Sequence, residues 1–375
     1  MSNRFSSHST AYRAMSITVA AFAVSLFGCT HARRAELEPA APAIASAGGF
    51  LNSIRSSVSG VRALFEAQTV SLALDRIDQR ELPLDRTYRH QGTGRGVVVY
   101  VFDGGILGSH PELAGRVRRG FDAFEGDPTV CNSHGTAVAG AVAGKTLGVA
   151  PEAEIVDVKM VECGKLRGTV KAIVEGTRWV IEDHKKHRRP AVANWSFIAD
   201  TTARIPQLDS AVAMLRAEGI AVVVSAGNLE INACRVSPGN AEGTIVVGAT
   251  SIIRAPAGGK VVDRRSHNTA YGPCIDLYAP GDSVLLPSFD ATQSPSVQLW
   301  NGTSMSTGYV SGAAALYLES QPRATPDEVT RHLRETATRN VVQESGSPLA
   351  LMLYVGLVRE ELKSVGEIRA AMGRR

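Results

Sequence analysis

The chain carries no strong charge of either sign. Forty basic and 36 acidic residues among 375 leave a formal net charge of +4. No stretch has the dense Lys/Arg clustering that a phosphate footprint requires, which sets nucleic acid aside as a partner. The densest basic run, His184 to Arg189, closes a helical pattern before Pro190 and reads as a solvated helix C-terminus favoured by the dipole. No Cys-x-x-Cys pair and no Cys/His spacing marks a zinc site. No internal repeat is present. The apolar run at the N-terminus, Ile17 to Gly28, is too short to span a bilayer as a mature helix. What remains is 44% hydrophobic and 20% charged, enough for one large α/β domain, or two smaller ones, with a buried core.

The same apolar run has the length of a signal-peptide core, and Arg4 and Arg13 precede it. It ends Leu26-Phe27-Gly28-Cys29, which resembles the bacterial lipoprotein cleavage motif, although Phe27 is bulkier than the usual residue. The expectation is a lipoprotein-type signal over 1–29, lipidation at Cys29, and an exported protein held at a bacterial membrane, periplasmic or at the cell surface. Ordinary secretion with cleavage nearby is the plainer reading. With Cys29 lipidated, Cys131, Cys163, Cys234 and Cys274 remain, an even number in an oxidising compartment.

Residues 30–70 are a linker or vestigial pro-segment; His31 to Ala47 is rich in Ala, Pro, Glu and Arg with nothing periodic to bury. Phe50 to Leu74 holds a short helix or two. From Gly94 onward, buried strands alternate with helices. The strands are Gly96 to Phe102, Ile155 to Met160, Ala191 to Trp195, Ala221 to Ser225 and Thr244 to Val247. The helices are Gly135 to Ala143, Thr169 to Lys186, Ile205 to Glu218, and a small-residue, buried Ser306 to Glu319. That alternation predicts an α/β fold of three layers, with a central mostly parallel sheet and helices on both faces. The domain spans 71–357, and 358–375 forms a charged tail with a surface helix.

Four residues carry the chemistry. Asp103 ends the first strong strand, at the edge where open α/β sheets gather their catalytic groups. His134 opens a helix of small residues, and Ser304 opens the buried helix. Alone, each has a plainer role: turn residue, structural histidine, helix N-cap. Together they supply what acyl transfer needs. A serine hydroxyl requires an adjacent base; His134 takes and returns the proton, and Asp103 fixes the tautomer and stabilises the imidazolium. Asn228 closes the strand Val222-Val223-Val224-Ser225-Ala226-Gly227, and its amide with the Ser304 N–H would hold the oxyanion, each donor worth about 2.7–4 kcal/mol of barrier.

The segments Val-Tyr-Val-Phe-Asp103-Gly-Gly-Ile, Ser-His134-Gly-Thr, Val-Ser-Ala-Gly-Asn228 and Gly-Thr-Ser304-Met-Ser stand in the chain order Asp, His, Ser. The sequence resembles the subtilases over Leu72 to Leu357, most of all the proteinase K branch with its aqualysin-like bacterial members. The resemblance implies a subtilisin-like fold and a secreted, monomeric serine endopeptidase that works through an acyl-enzyme. It implies disulfides Cys131–Cys163 and Cys234–Cys274, each closing about 30–40 residues and worth about 3.5–4 kcal/mol by chain entropy. Substrate peptide would add as a strand between Gly164, Lys165, Leu166 and Arg167 on one side and Trp195, Ser196, Phe197 and Ile198 on the other. No cofactor is needed for the chemistry. Structural calcium is implied at Asp75, Asp78, Gln79 and Asp85, whose oxygens suit a hard cation; helix capping and surface pairing are the plainer roles. A second family calcium site has an aspartate where this chain has Ser251, and is not expected here.

The chain departs from the family in four places. Gly104 replaces the hydroxyl residue after the triad aspartate, which would loosen Asp103. Gly308 replaces a proline, with a modest effect expected. Ile198 replaces a glycine lining the primary specificity pocket, which would narrow or redirect it. The stretch between Cys29 and Leu72 is shorter than the usual inhibitory prodomain. These departures leave a catalytically weak or inactive peptide-binding domain as the competing reading. An esterase acting on non-peptide substrates would use the same triad.

Overall fold

The computed structural model describes residues 71–124, 130–164, 168–199, 203–254 and 259–356. The expected signal segment with Cys29, the expected 30–70 linker and charged tail, and Lys165, Leu166 and Arg167 of the expected substrate edge lie outside them.

Strand β1 (Val98–Asp103) is buried at every residue, as a strand covered on both faces must be. It runs parallel to β3 (Glu154–Lys159) on one side and β4 (Ala191–Trp195) on the other. Beyond β3 lies the edge strand β2 (Val117–Asp122). Beyond β4 come β5 (Ala221–Ser225) and the longer β6 (Ile245–Arg254), both parallel. The far side of β6 takes β8 (Leu277–Pro280) in parallel and β7 (Val261–Arg265) antiparallel, and β11 (Val342–Gln343) pairs with β7. A separate hairpin joins β9 (Val284–Phe289) to β10 (Pro295–Trp300).

Two-residue alternation divides the core into two layers. Val99 and Val101 face one cluster with α2 (His134–Ala143) and α5 (Thr303–Ser320). Val98, Tyr100 and Phe102 face the other, with α3 (Val170–His187) and α4 (Pro206–Ala217). Helices α1 (Leu72–Ile77) and α6 (Pro326–Thr336) add Leu74, Ile77, Val329 and Leu333 to the first layer. The three-layer α/β architecture is as the sequence predicts. The buried helix, however, starts at Thr303 rather than Ser306, so Ser304 lies inside its first turn.

Helices α2 and α5 touch backbone to side chain. A Cβ on Gly308 would stand 2.8 Å from Ala141 Cβ and 2.9 Å from Val138 O, and one on Gly312 would stand 2.9 Å from Val142 O. Glycine at 308 is therefore what lets the two helices meet, a larger role than the sequence suggests. Cys131–Cys163 and Cys234–Cys274 are both bonded, across separations of 32 and 40 residues. At α1, Arg76 grips Asp263 of β7 with both partners buried and contacts as short as 2.7 Å.

Candidate active site

The order of strands reverses at β1: the chain goes to β3 on one side and later crosses to β4 on the other. Such a switch point leaves a crevice at the carboxyl ends of the strands. Asp103 is the last residue of β1 and shares its face with Val99 and Val101, so it points toward α2 and α5.

The first residue of α2 is His134, and its Nδ1 lies 2.7 Å from Asp103 Oδ2. The other carboxylate oxygen accepts the Gly104 N–H at 2.7 Å. Gly104 thus holds Asp103 through its backbone where the family's hydroxyl is missing. Asn132 Oδ1 accepts the His134 N–H at 2.9 Å and sets the turn into the helix. Gly135 is required: a Cβ there would stand 2.5 Å from Gly105 O and 2.9 Å from Asp103 Cβ. Burial disfavours a charged imidazole, but the Asp103 charge and hydrogen bond outweigh it, and the His134 pKa is raised above 6.5.

Ser304 is buried in the first turn of α5. Its Oγ donates to Ser196 O at 3.2 Å rather than to His134. Ser196 Oγ in turn donates to Ser304 O at 3.0 Å and accepts from Asn194 Nδ2 at 2.9 Å, and Asn194 Oδ1 takes the Ser311 hydroxyl at 2.9 Å. This buried chain pins the Ser304 backbone to the end of β4. Rotation of the Ser304 side chain toward His134 would complete the base contact; such contacts tighten on substrate binding.

Asn228 follows β5. Its Oδ1 accepts the Thr303 N–H at 2.9 Å and the Thr303 hydroxyl at 2.8 Å. A backbone N–H can only donate, so the amide oxygen is fixed there and the NH₂ group is turned away. Thr303 Oγ1 also meets Ser225 Oγ at 2.6 Å. Of the first-turn N–H groups of α5, which lack helical acceptors, that of Thr303 is taken by Asn228 and that of Met305 by Gly302 O at 3.2 Å.

A cleft of about 680 Å³ opens from Asp103 and His134 between Met160, Ile173, Phe197 and Ile198. Its size and apolar walls suit a ligand pocket. Ser196, Phe197 and Ile198 line it as the sequence suggests, and Gly164 is exposed at φ +82°. Trp195 does not: its side chain is fully buried in the α3/α4 layer, stacked with Phe197 and edge-on to Phe102. Ile198 lies against Gly227, its Cδ1 2.9 Å from where a Cβ would stand. Trp300, which the sequence did not flag, sets its ring edge-on to His134 at 6.2 Å.

The residues assigned to calcium lie on α1 and the turn after it. Asp75 accepts the Asp85 and Arg86 N–H groups at 3.2 and 2.9 Å. Asp85 takes the Thr87 N–H at 3.0 Å and pairs with Arg89 at 2.7 Å. Gln79 bonds Pro83 O at 2.9 Å and the Asp85 N–H at 3.2 Å. Asp78 accepts the Arg89 N–H through Oδ2, but its Oδ1 is buried without a partner. Burial pushes Asp78 up to about 6 and raises Asp75 as well. Among the described residues, no three metal-ligating side chains converge.

The chain is similar to known proteins over most of the described residues. Residues 94–351 match the model of the subtilase family. An extracellular serine proteinase of Thermus sp. (strain Rt41A) is 41% identical over 298 residues, covering 78% of this chain and 68% of that one. The alkaline serine exoprotease A of Vibrio alginolyticus is 33% identical over 283 residues, 75% of this chain and 49% of its own length, so the chain spans about half of that relative. The crystal structure of a cold-adapted subtilisin-like serine proteinase superposes with a TM-score of 0.68 at 34% identity, covering 77% of this chain and all of the other.

Proposed function

The chain belongs to the subtilase family of serine endopeptidases, and from that premise we propose that it is an exported peptidase using Asp103, His134 and Ser304 as its triad and Asn228 as an oxyanion donor. The observation that carries this reading is the 2.7 Å bond from buried Asp103 to His134, at the mouth of a helix packed against the one bearing Ser304. An extended peptide adds as a strand between the Trp195–Ile198 and Gly164–Arg167 backbone edges. His134 removes the Ser304 proton as Oγ attacks the scissile carbonyl. The resulting oxyanion receives hydrogen bonds from the Asn228 NH₂ and the Ser304 N–H. His134 then protonates the leaving amine, and water resolves the acyl-enzyme by the same steps reversed. This chemistry needs no metal or cofactor.

The domain order proposed is a lipoprotein-type signal (1–29), a tether (30–70), the peptidase (71–357) and a charged tail (358–375). Among the described residues no helix is long and apolar enough to cross a membrane. Attachment would rest on Cys29, and loss of palmitate incorporation in Cys29→Ser tests it. Structural calcium is proposed at the α1 turn on the strength of the unpartnered Asp78 Oδ1. The oxygens of Asp75 and Asp85 are spent on backbone donors and Arg89, so a cation there requires the turn to regroup. A Tm that falls on chelation supports it.

The competing reading, a peptide-binding domain without activity, draws on the Ser304 hydroxyl resting on Ser196 O. Fluorophosphonate labelling of the exported chain beside Ser304→Ala separates the two. Labelling of the parent alone, with cleavage of an unstructured protein, is the expected result. No labelling of folded protein would overturn the proposal.

A further inference from the structure

Behind the triad aspartate lies a second carboxyl group that the mechanism above does not use. Asp157 sits on β3 opposite Val101 of β1, with Asp103 two residues further along the neighbouring strand. It is 6% exposed. Its Oδ2 accepts the Ile106 N–H at 3.1 Å, while its Oδ1 is buried with no partner. A carboxyl group so placed costs free energy, since only one of its two oxygens is hydrogen-bonded.

The bond lies in the segment that governs Asp103 and His134. Gly104, Gly105 and Ile106 leave β1 in succession. The Gly104 N–H holds Asp103 Oδ1 at 2.7 Å. Gly105 takes φ +103°, and its carbonyl is what leaves no room for a Cβ on Gly135 beside His134. The Ile106 N–H is tied to Asp157, and the next amide, Leu107, to the Thr136 hydroxyl of α2 at 2.9 Å. Two consecutive amides thus bind the turn to the strand behind it and to the helix in front. Gly104 has no side chain with which to brace itself.

We infer that Asp157 is a positioning residue for the triad, fixing the Gly104–Ile106 turn so that the Gly104 N–H and the Gly105 carbonyl set the approach of Asp103 to His134. It touches neither substrate nor reacting atoms. Burial, with Asp103 nearby, pushes its carboxyl up to about 7. Below that pH it is chiefly a neutral acid, of which asparagine is the near-isostere, and both accept the Ile106 N–H through an oxygen.

The inference rests on the triad reading, and the test separates the two. Parent, Asp157→Ala and Asp157→Asn are titrated with a fluorophosphonate to count active sites, and kcat and KM are measured per site on one peptide substrate. Asp157→Ala is expected to lose about tenfold or more in kcat with KM moved less than about twofold, as misplacement of catalytic groups does. Asp157→Asn is expected to recover most of that loss. Equal kcat per titrated site in parent and Asp157→Ala would overturn the inference while leaving the triad intact. If Asp157→Ala does not fold, an Asp157→Asn kcat reduced by tenfold or more would overturn it equally, because the acceptor is retained. A parent that takes no label defeats the triad reading instead.

Discussion

Strand β3 carries two carboxylates, three residues apart, that the protein treats in opposite ways. Glu154, at its start, would be raised by burial, but hydrogen bonds from Arg189 and Arg118 outweigh that and hold it below the usual range. Arg118 reaches on to Asp183 at 2.7 Å. Asp157, near the other end, has a single backbone donor and is pushed up to about 7. One end of the sheet satisfies its charges. The other keeps polar groups under-satisfied beside the reacting residues, where perturbed groups gather. The difference separates what holds the sheet together from what the sheet is for.

The largest test of that division is at the reacting end. His134→Ala should lower kcat by roughly 10⁶-fold. Arg118→Ala should leave kcat within about twofold and cost about 1 kcal/mol of stability by denaturant titration, because the Arg118 side chain is 37% exposed. A comparable loss of kcat in folded Arg118→Ala would erase the distinction. Asn228→Ala should lower kcat by about 10²–10³-fold with little change in KM.

The pH response should differ in sign along the strand. The folded pKa of Glu154 is depressed, so its stabilisation is present above its unfolded value and lost as pH falls through the folded one. Glu154→Gln should therefore lower Tm at pH 7, by an amount that shrinks as pH falls through the folded pKa. The folded pKa of Asp157 is raised from 3.8 to about 7, so its contribution is full below the unfolded value and lost as pH rises through 7. Asp157→Asn should raise Tm at pH 8 more than at pH 5. In activity, kcat/KM should climb with pH through a His134 value above 6.5, since only the neutral imidazole accepts the serine proton. The smallest effect expected is in the cleft wall: Ile198→Gly should improve kcat/KM severalfold for substrates with a bulky residue before the scissile bond, by freeing the space against Gly227. Unchanged selectivity would remove Ile198 from the pocket.

Much of this was legible in the sequence because the parallel strands are short, fully buried runs rich in Ala and Val; Ala191–Trp195 and Ala221–Ser225 appear as predicted. Strand β2, Val-Arg-Arg-Gly-Phe-Asp, was not legible, since a half-exposed edge strand need not be apolar. Trp195 belongs to the expected substrate edge through its backbone; its side chain, by alternation along β4, lies on the face of Ala191 and Ala193, away from Asn194 and Ser311. Asp157 gave a fainter signal: one acid inside a run that otherwise reads as fully buried.

The close meeting of α2 and α5 has a further consequence. His134 stands at the head of one helix and Ser304 near the head of the other, and Gly308 and Gly312 let the two shafts touch. The spacing between the proposed base and nucleophile is thus gauged deep in the interior, like two pins mounted on one block. The walls of the groove can be rebuilt residue by residue, as at Ile198, without resetting that gauge. Selectivity and reactivity would then be separately adjustable, the first at the groove wall and the second at the helix contact.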